Sequence, residues 1–77
     1  MVNKLVLIEW LDSHYYPDWH IDAPVSKPSS VRSVGWLIHD GEMTKVIAAH
    51  MTDEDPPHRN GEMTIPVCSI QSIRELS

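Results

Sequence analysis

The sequence predicts an all-β protein: a small five-stranded SH3-like barrel that occupies residues 1–77 as a single domain. No stretch places apolar residues at the three- and four-residue spacing of an amphipathic helix. Several short stretches are instead rich in Val, Ile and Trp and end in turn residues. A closed barrel is preferred to an open sheet because closure removes exposed strand edges.

The first predicted strand covers residues 4–11, KLVLIEWL. Side chains alternate between the two faces of a strand, and here both faces are apolar. One face carries Leu5, Leu7 and Leu11, and the other carries Val6, Ile8 and Trp10. This pattern predicts a strand that is covered on both sides.

A long segment, residues 12–31, follows this strand and contains Pro17, Pro24 and Pro28 with several serines. Prolines at this density predict irregular structure. A connection of this length in a compact domain is typical of a functional loop.

A β-hairpin is predicted within SVGWLIHDGEMTKVIAAH, residues 33–50, because Asp40-Gly41 suits a two-residue type I′ turn. Counting back from that turn gives the pairs His39–Glu42, Ile38–Met43, Leu37–Thr44, Trp36–Lys45 and Val34–Ile47. This register puts Val34, Trp36, Ile38 and Ile47 on one face, and Leu37, Val46, Ala48 and His50 on the other. Gly35 has no side chain, which predicts a bend or a close approach by another group.

The C-terminal third begins with a polar loop, TDEDPPHRNG, and continues as GEMTIPVCSIQSIREL. Pro66 cannot donate a backbone hydrogen bond, so it ends or bends its strand. A short 3-10 turn and a last strand around Ile73 are predicted next. They would bring Ile65, Ile70, Ile73 and Leu76 into one core.

Composition excludes several classes of protein. The single cysteine, Cys68, allows neither an internal disulfide nor a thiolate-rich zinc site. Eleven acidic against six basic residues give a formal charge of −5, which argues against binding to DNA or RNA. The longest apolar run, Leu5 to Ile8, is far too short for a membrane span, and no signal-peptide pattern is seen. We expect a soluble protein of the cytoplasm whose small core favours self-association into a homo-oligomer.

A metal site can be drawn from His14, Asp18 and His20, with Asp12 or Asp22 as a further ligand. Their spacing matches no established zinc signature, and the alternative is that these histidines are solvated or bonded to loop backbone. We therefore predict no metal ion and no cofactor.

Catalysis is also not predicted. Asp12, Ser13 and His14 are consecutive, so they cannot form the relay of a nucleophilic triad. Cys68 beside a core strand is typical of a small buried hydrophobe. The chain has only three glycines and no phosphate-binding glycine loop.

The aromatic residues, three Trp and two Tyr with no Phe, indicate a binding surface. Either Trp10 or Trp36 is expected in the core. Trp19, in the long loop, is either a lid residue or a ligand contact. Stacking of a base on an exposed ring contributes about 1–3 kcal/mol, so two rings and one Arg could hold a nucleotide despite the net charge.

The acidic run Asp53 to Asp55 has two interpretations. It could help to mimic a phosphate backbone, but a solvated loop is the ordinary interpretation of three carboxylates. His58 and Arg59 follow in the same loop, so its charge is mixed.

Three segments, EWLDS, VRSVGWLIHD and GEMTIPVCSIQSI, resemble a group of short phage-encoded proteins that share the outline W-x-D-S, S-V-G-W-L and T-I-P. The resemblance implies a small accessory protein made in the cytoplasm of an infected bacterium. It also implies stoichiometric binding, which either inhibits a host enzyme or sequesters a nucleotide second messenger of an antiviral defence pathway.

Two functions are consistent with these observations. The first is a non-enzymatic oligomer that sequesters a nucleotide-like second messenger, with ligand-binding residues Asp12, Ser13, Trp19, Trp36, Arg59 and Thr64; Lys27 and Arg32 are further cationic candidates. The second is a protein–protein inhibitor or adaptor that binds a host protein through residues 12–31 and 52–60. Neither function involves a membrane.

Overall fold

A computed structural model describes residues 3–13 and 28–76, which form one antiparallel β-sheet of five strands. The strands are β1 (Leu5–Asp12), β2 (Ser29–Asp40), β3 (Thr44–Met51), β4 (Arg59–Pro66) and β5 (Ile70–Glu75). A 3-10 turn, Val67–Ser69, precedes β5. The all-β prediction, the number of strands and the turn before the last strand are confirmed.

The strands lie in the order β4-β3-β2-β1-β5, so β4 and β5 are the two edges. No ladder joins β4 to β5 within residues 3–13 and 28–76. The sheet is therefore open in the described part of the chain, whereas the sequence predicted a closed barrel.

β1 is a central strand, and its two faces are covered unequally. Val6 and Ile8 are 1% and 0% exposed and belong to the core. On the opposite face, Leu5, Leu7 and Leu11 are only half-buried. The prediction of full cover on both sides is thus correct for one face alone.

The core of the described residues is small, and its buried members are aliphatic residues from three strands, β1, β3 and β4. Val6 and Ile8 pack with Ile47 of β3 and Ile65 of β4. Partly buried residues complete this cluster: Trp10, Leu37 and Ile70. Trp10 is oriented by its indole N–H, which donates to the Ser33 hydroxyl at 3.0 Å. Of the two tryptophans considered for the core, Trp10 is the one that packs against it.

The predicted C-terminal core is wrong for two of its four residues. Ile65 is buried and Ile70 packs against the cluster, but Ile73 and Leu76 are 40% and 44% exposed. The reason is the position of β5, which pairs with β1 alone among the described strands. A side chain on such an edge strand is covered from one flank only.

The predicted register of the β2–β3 hairpin is wrong. Trp36 pairs with Ala48 and not with Lys45, a displacement of three residues, and Leu37 pairs with Ile47. An odd displacement exchanges the faces of a strand, so Leu37 and Ile47 share the core face that the prediction divided between them. An irregularity between Leu37 and His39 then brings Asp40 opposite Lys45.

The turn of this hairpin is not the predicted two-residue type I′ turn. A type I′ turn needs positive φ at both central residues, and among the described residues only Gly61 has one. The connection is wider instead, and the Gly41 N–H donates to the Thr44 carbonyl at 3.1 Å. The Lys45 ammonium and the Asp40 carboxylate form an ion pair across its base.

Gly35 allows the close approach that the sequence predicted. A Cβ atom placed there would lie 2.8 Å from the Ala48 carbonyl oxygen and 3.1 Å from the Ile47 Cβ. The absence of a side chain therefore lets β3 lie close to β2, directly beside Trp36.

Candidate functional site

The predicted ligand-binding residues that the structure describes lie in separate parts of the fold. Asp12 and Ser13 end β1 and are exposed, with the Ser13 N–H donating to the Asp12 carboxylate at 2.9 Å. Trp36 lies at the other end of β1, opposite Leu5. Seven residues along a strand correspond to about 23 Å, so these groups cannot contact one small ligand together.

Arg59 and Thr64 lie on β4, and both are exposed. The Arg59 guanidinium forms an ion pair with Glu62 at 3.2 Å, so its charge is already partly neutralised. Thr64 pairs with Val46 of β3. Trp36 pairs with Ala48 of β3, and Ala48 pairs with Glu62 of β4, so Thr64 is two residues along β4 from the position level with Trp36. The single predicted phosphate-binding cation is thus engaged by a carboxylate.

Several predicted residues lie outside the described part of the chain. They are Trp19, Lys27, and the metal candidates His14, Asp18, His20 and Asp22. Within residues 3–13 and 28–76, no group of three or more His, Cys, Asp or Glu side chains could hold a metal ion.

Trp36 lines a cavity of about 420 Å³, which we call the acidic pocket. Its walls come from the start of the chain, from β2 and from the end of β3 with the following loop. The residues that line it are Asn3, Trp36, Met51, Thr52, Asp53, Glu54, Asp55 and Pro57. This volume is in the range of pockets that bind a small molecule or a side chain.

The loop that carries the carboxylates is closed at its base by two hydrogen bonds. The Thr52 N–H donates to the His58 carbonyl at 2.9 Å, and the His58 N–H donates to the Thr52 hydroxyl at 2.8 Å. The His58 imidazole also lies 3.4 Å from the Glu54 carboxylate. These bonds hold the acidic run as a defined turn next to Trp36.

Charge and shape give the acidic pocket a clear chemical preference. Three of its lining residues are acidic and none is a lysine or arginine. The half-buried Trp36 contributes an indole ring, whose face attracts cations, and Met51 contributes a polarizable thioether. An ammonium or guanidinium group fits this arrangement, whereas a phosphate would meet three negative charges.

Sequence reasoning missed the acidic pocket although it considered all three of the acids. A solvated loop is the ordinary interpretation of the acidic run, because no pattern in the neighbouring sequence connects it with Trp36. The correct hairpin register, with Trp36 opposite Ala48, would have put Trp36 near the end of β3, where this loop begins.

A second cavity, of about 320 Å³, adjoins the acidic pocket and is lined by His50, Met51, Thr52, His58, Arg59 and Asn60. It contains Arg59, the arginine predicted from the sequence to be among the ligand-binding residues. Its two histidines and one arginine make it the more suitable of the two cavities for an anion.

A third cavity, of about 260 Å³, lies over Val6, Leu37 and Ile73 and has two ion pairs at its rim. Lys4 and Glu75 are 2.7 Å apart, and their hydrogen bond, followed by their charge attraction, raises the pKa of Lys4. The hydrogen bond from Lys45, followed by its charge, lowers the pKa of Asp40.

Replacing Lys45 with methionine is expected to return the pKa of Asp40 towards that of an ordinary carboxyl group. The pKa of Asp40 is lower in the folded protein than in the unfolded chain. The pair with Lys45 therefore stabilises the fold at pH values above the ordinary pKa of an aspartate. That contribution is lost as the pH falls through the lowered pKa of the folded protein. NMR titration of the Asp40 carboxyl would measure the change, with Arg59→Met as a distant control. An unchanged pKa in the Lys45 variant would contradict the assignment.

No protein-family model matches this chain, and searches of curated proteins and of solved structures found no similar protein. Within the described residues there is no helix with the length and apolar character needed to cross a membrane.

Proposed function

We propose that this protein is a non-enzymatic inhibitor or adaptor that binds a basic segment of a host protein. The acidic pocket is the observation that supports this proposal. It combines the Trp36 ring with the carboxylates of Asp53, Glu54 and Asp55. In this proposal, the loop 52–60 provides the contact surface expected from the sequence, and the partner contributes a cationic group.

Each part of the pocket contributes modestly to binding. A cation over an indole face contributes about 0.5–1 kcal/mol at an exposed site. An exposed ion pair contributes about 0.2–1 kcal/mol and weakens with salt. One lysine or arginine in the pocket would therefore bind weakly. A useful affinity requires a partner that presents a basic side chain within a larger contact surface.

Binding to a labelled lysine-rich peptide should depend on the acidic pocket. Asp53→Asn, Glu54→Gln and Asp55→Asn together are expected to weaken it about tenfold, because three attractive charges are removed while the loop retains its shape. Fluorescence anisotropy at low and physiological salt would measure the affinity. An acidic peptide of equal length should show no binding.

The matched control removes the same number of charges elsewhere, through Asp12→Asn, Asp40→Asn and Glu42→Gln, all of which are exposed and lie outside the acidic pocket and β5. This control is expected to change the affinity less than twofold. Equal weakening by both triple variants would mean that net charge and not the pocket attracts the peptide. A Trp36→Leu variant that binds as the wild type does would also contradict the proposal.

Sequestration of a nucleotide second messenger is the second candidate, and the cavity beside Arg59 favours it. A phosphate could interact there with the Arg59 guanidinium and accept hydrogen bonds from the ring N–H groups of His50 and His58. A nucleotide that stabilises the wild type against heat, but not an Arg59→Ala variant, would favour this candidate over the first.

We also propose that the fold is a small SH3-like barrel, as expected from the sequence, but one whose edge strands β4 and β5 are not joined to each other in the described part of the chain. The strand order β4-β3-β2-β1-β5 and the 3-10 turn before β5 support this proposal. The resemblance to short phage-encoded proteins supports action in the host cytoplasm. Action in the host cytoplasm remains a prediction, and so does the absence of catalytic activity.

A further inference from the structure

The outer edge of β5 is a surface to which no function has yet been assigned. β5 pairs with β1 on one flank, and no other described strand lies on its second flank. Natural edge strands are commonly blocked by proline or by irregular backbone. The other edge strand, β4, has both features in Pro66 and in Gly61 with φ +72°. β5 contains neither proline nor glycine, and its register with β1 shifts only at its start, between Ile70 and Ser72, which leaves the stretch from Ser72 to Glu75 regular.

Backbone groups of β5 are directed towards this open flank. The Leu76 N–H donates to the Leu5 carbonyl at 2.8 Å, and Arg74 and Ser72 pair with Leu7 and Glu9 in the same register. In an antiparallel ladder, alternate residues point their N–H and C=O groups to opposite flanks. Ile73 and Glu75 therefore direct theirs away from β1.

We propose that a second copy of this chain pairs its own β5 with this edge, antiparallel, about a two-fold axis at Ile73. Both Ile73 residues then exchange two backbone hydrogen bonds, and their side chains, 40% exposed in one chain, contact each other. Glu75 lies opposite Gln71 of the second copy, the residue at which the register between β1 and β5 shifts. Axes at Arg74 or Glu75 are disfavoured because they place like charges directly opposite each other.

Side-chain charges complement this register. Arg74 lies opposite Ser72 of the second copy, and the Ser72 hydroxyl donates to the Glu9 carboxylate at 3.1 Å. Two strand spacings, about 10 Å, separate Arg74 from Glu9 of the second copy, and their extended side chains can span that distance. Arg74 makes no ion pair within the described residues. In the dimer each Arg74 gains Glu9 of the second copy as its partner, and the two-fold axis makes two such pairs.

Sedimentation velocity of the full chain over a range of concentrations tests this proposal. We expect a reversible dimer. Arg74→Glu and Glu9→Arg should each raise its dissociation constant at least tenfold, and the two changes combined should restore it at least partly. Restoration separates a broken interface from a damaged fold.

Arg59→Glu is the matched control because it makes the same charge change on the other edge strand, and it should leave the dimer intact. Hydrogen exchange provides a second measurement. The amides of Ile73 and Glu75 should exchange at least tenfold faster on dilution to monomer. A wild-type monomer at all concentrations would overturn the proposal, as would dissociation by Arg59→Glu but not by Arg74→Glu.

Discussion

Replacing Ile8 with alanine is expected to lower the free energy of unfolding by about 2–5 kcal/mol, the cost of removing a large aliphatic side chain from a packed core. Ile8 is 0% exposed and belongs to a cluster that has three other buried members among the described residues. Few neighbours are available to fill the cavity. In a domain of this size the loss is a large part of the total stability.

Urea unfolding followed by circular dichroism would measure this change. Val34→Ala is the matched control, since Val34 is 55% exposed and should lose less than about 0.5 kcal/mol. Equal stability of the Ile8 variant and the wild type would contradict the core described above.

Replacing Gly35 with alanine is expected to cost about 1–3 kcal/mol, although it adds a single methyl group. The new Cβ would meet the Ala48 carbonyl oxygen at 2.8 Å, a backbone atom that can move only if β3 moves away from β2. The φ angle at Gly35 is not positive, so steric contact and not backbone strain is the cause.

Gly41→Ala is the control for this substitution. There the nearest atom belongs to the flexible end of the His39 side chain, so a smaller loss is expected. Urea unfolding of both variants would measure the difference. Greater destabilisation by the Gly41 variant would contradict the explanation.

Gly35 also connects the fold with the candidate site. By allowing close contact between β2 and β3, it sets the position of Trp36 opposite Ala48, three residues before Met51 in the pocket wall. A displaced β3 would carry the following loop with it. The Gly35 variant should therefore bind the lysine-rich peptide more weakly even when it is folded.

The proposed dimer leaves the acidic pocket accessible. β5 is one edge of the sheet, and the pocket is formed by β2, β3 and the loop towards β4 on the other side. A two-fold dimer would thus present two acidic pockets. Two pockets on one particle raise the avidity for a partner with several basic residues, provided that the geometry allows both to be occupied.

Local patterns determined the elements of this protein because each depends on neighbouring residues. The apolar residues of KLVLIEWL identified β1 as a strand, although not which of its faces is buried. Pro66 marked the end of β4, and Gly35 marked the close approach of β3.

Only the tertiary structure decided the hairpin register and the position of the edge strand. Asp40-Gly41 favours a tight turn locally, but the ladder that pairs Leu37 with Ile47 in the core prevails, since burying both side chains outweighs a turn preference. Ile73 is an apolar residue of the kind that fills cores, but it lies on an edge strand and is 40% exposed. The same register brings Trp36 into one pocket with Asp53 to Asp55. These residues are far apart in the sequence, so no local pattern predicts that they line the same pocket.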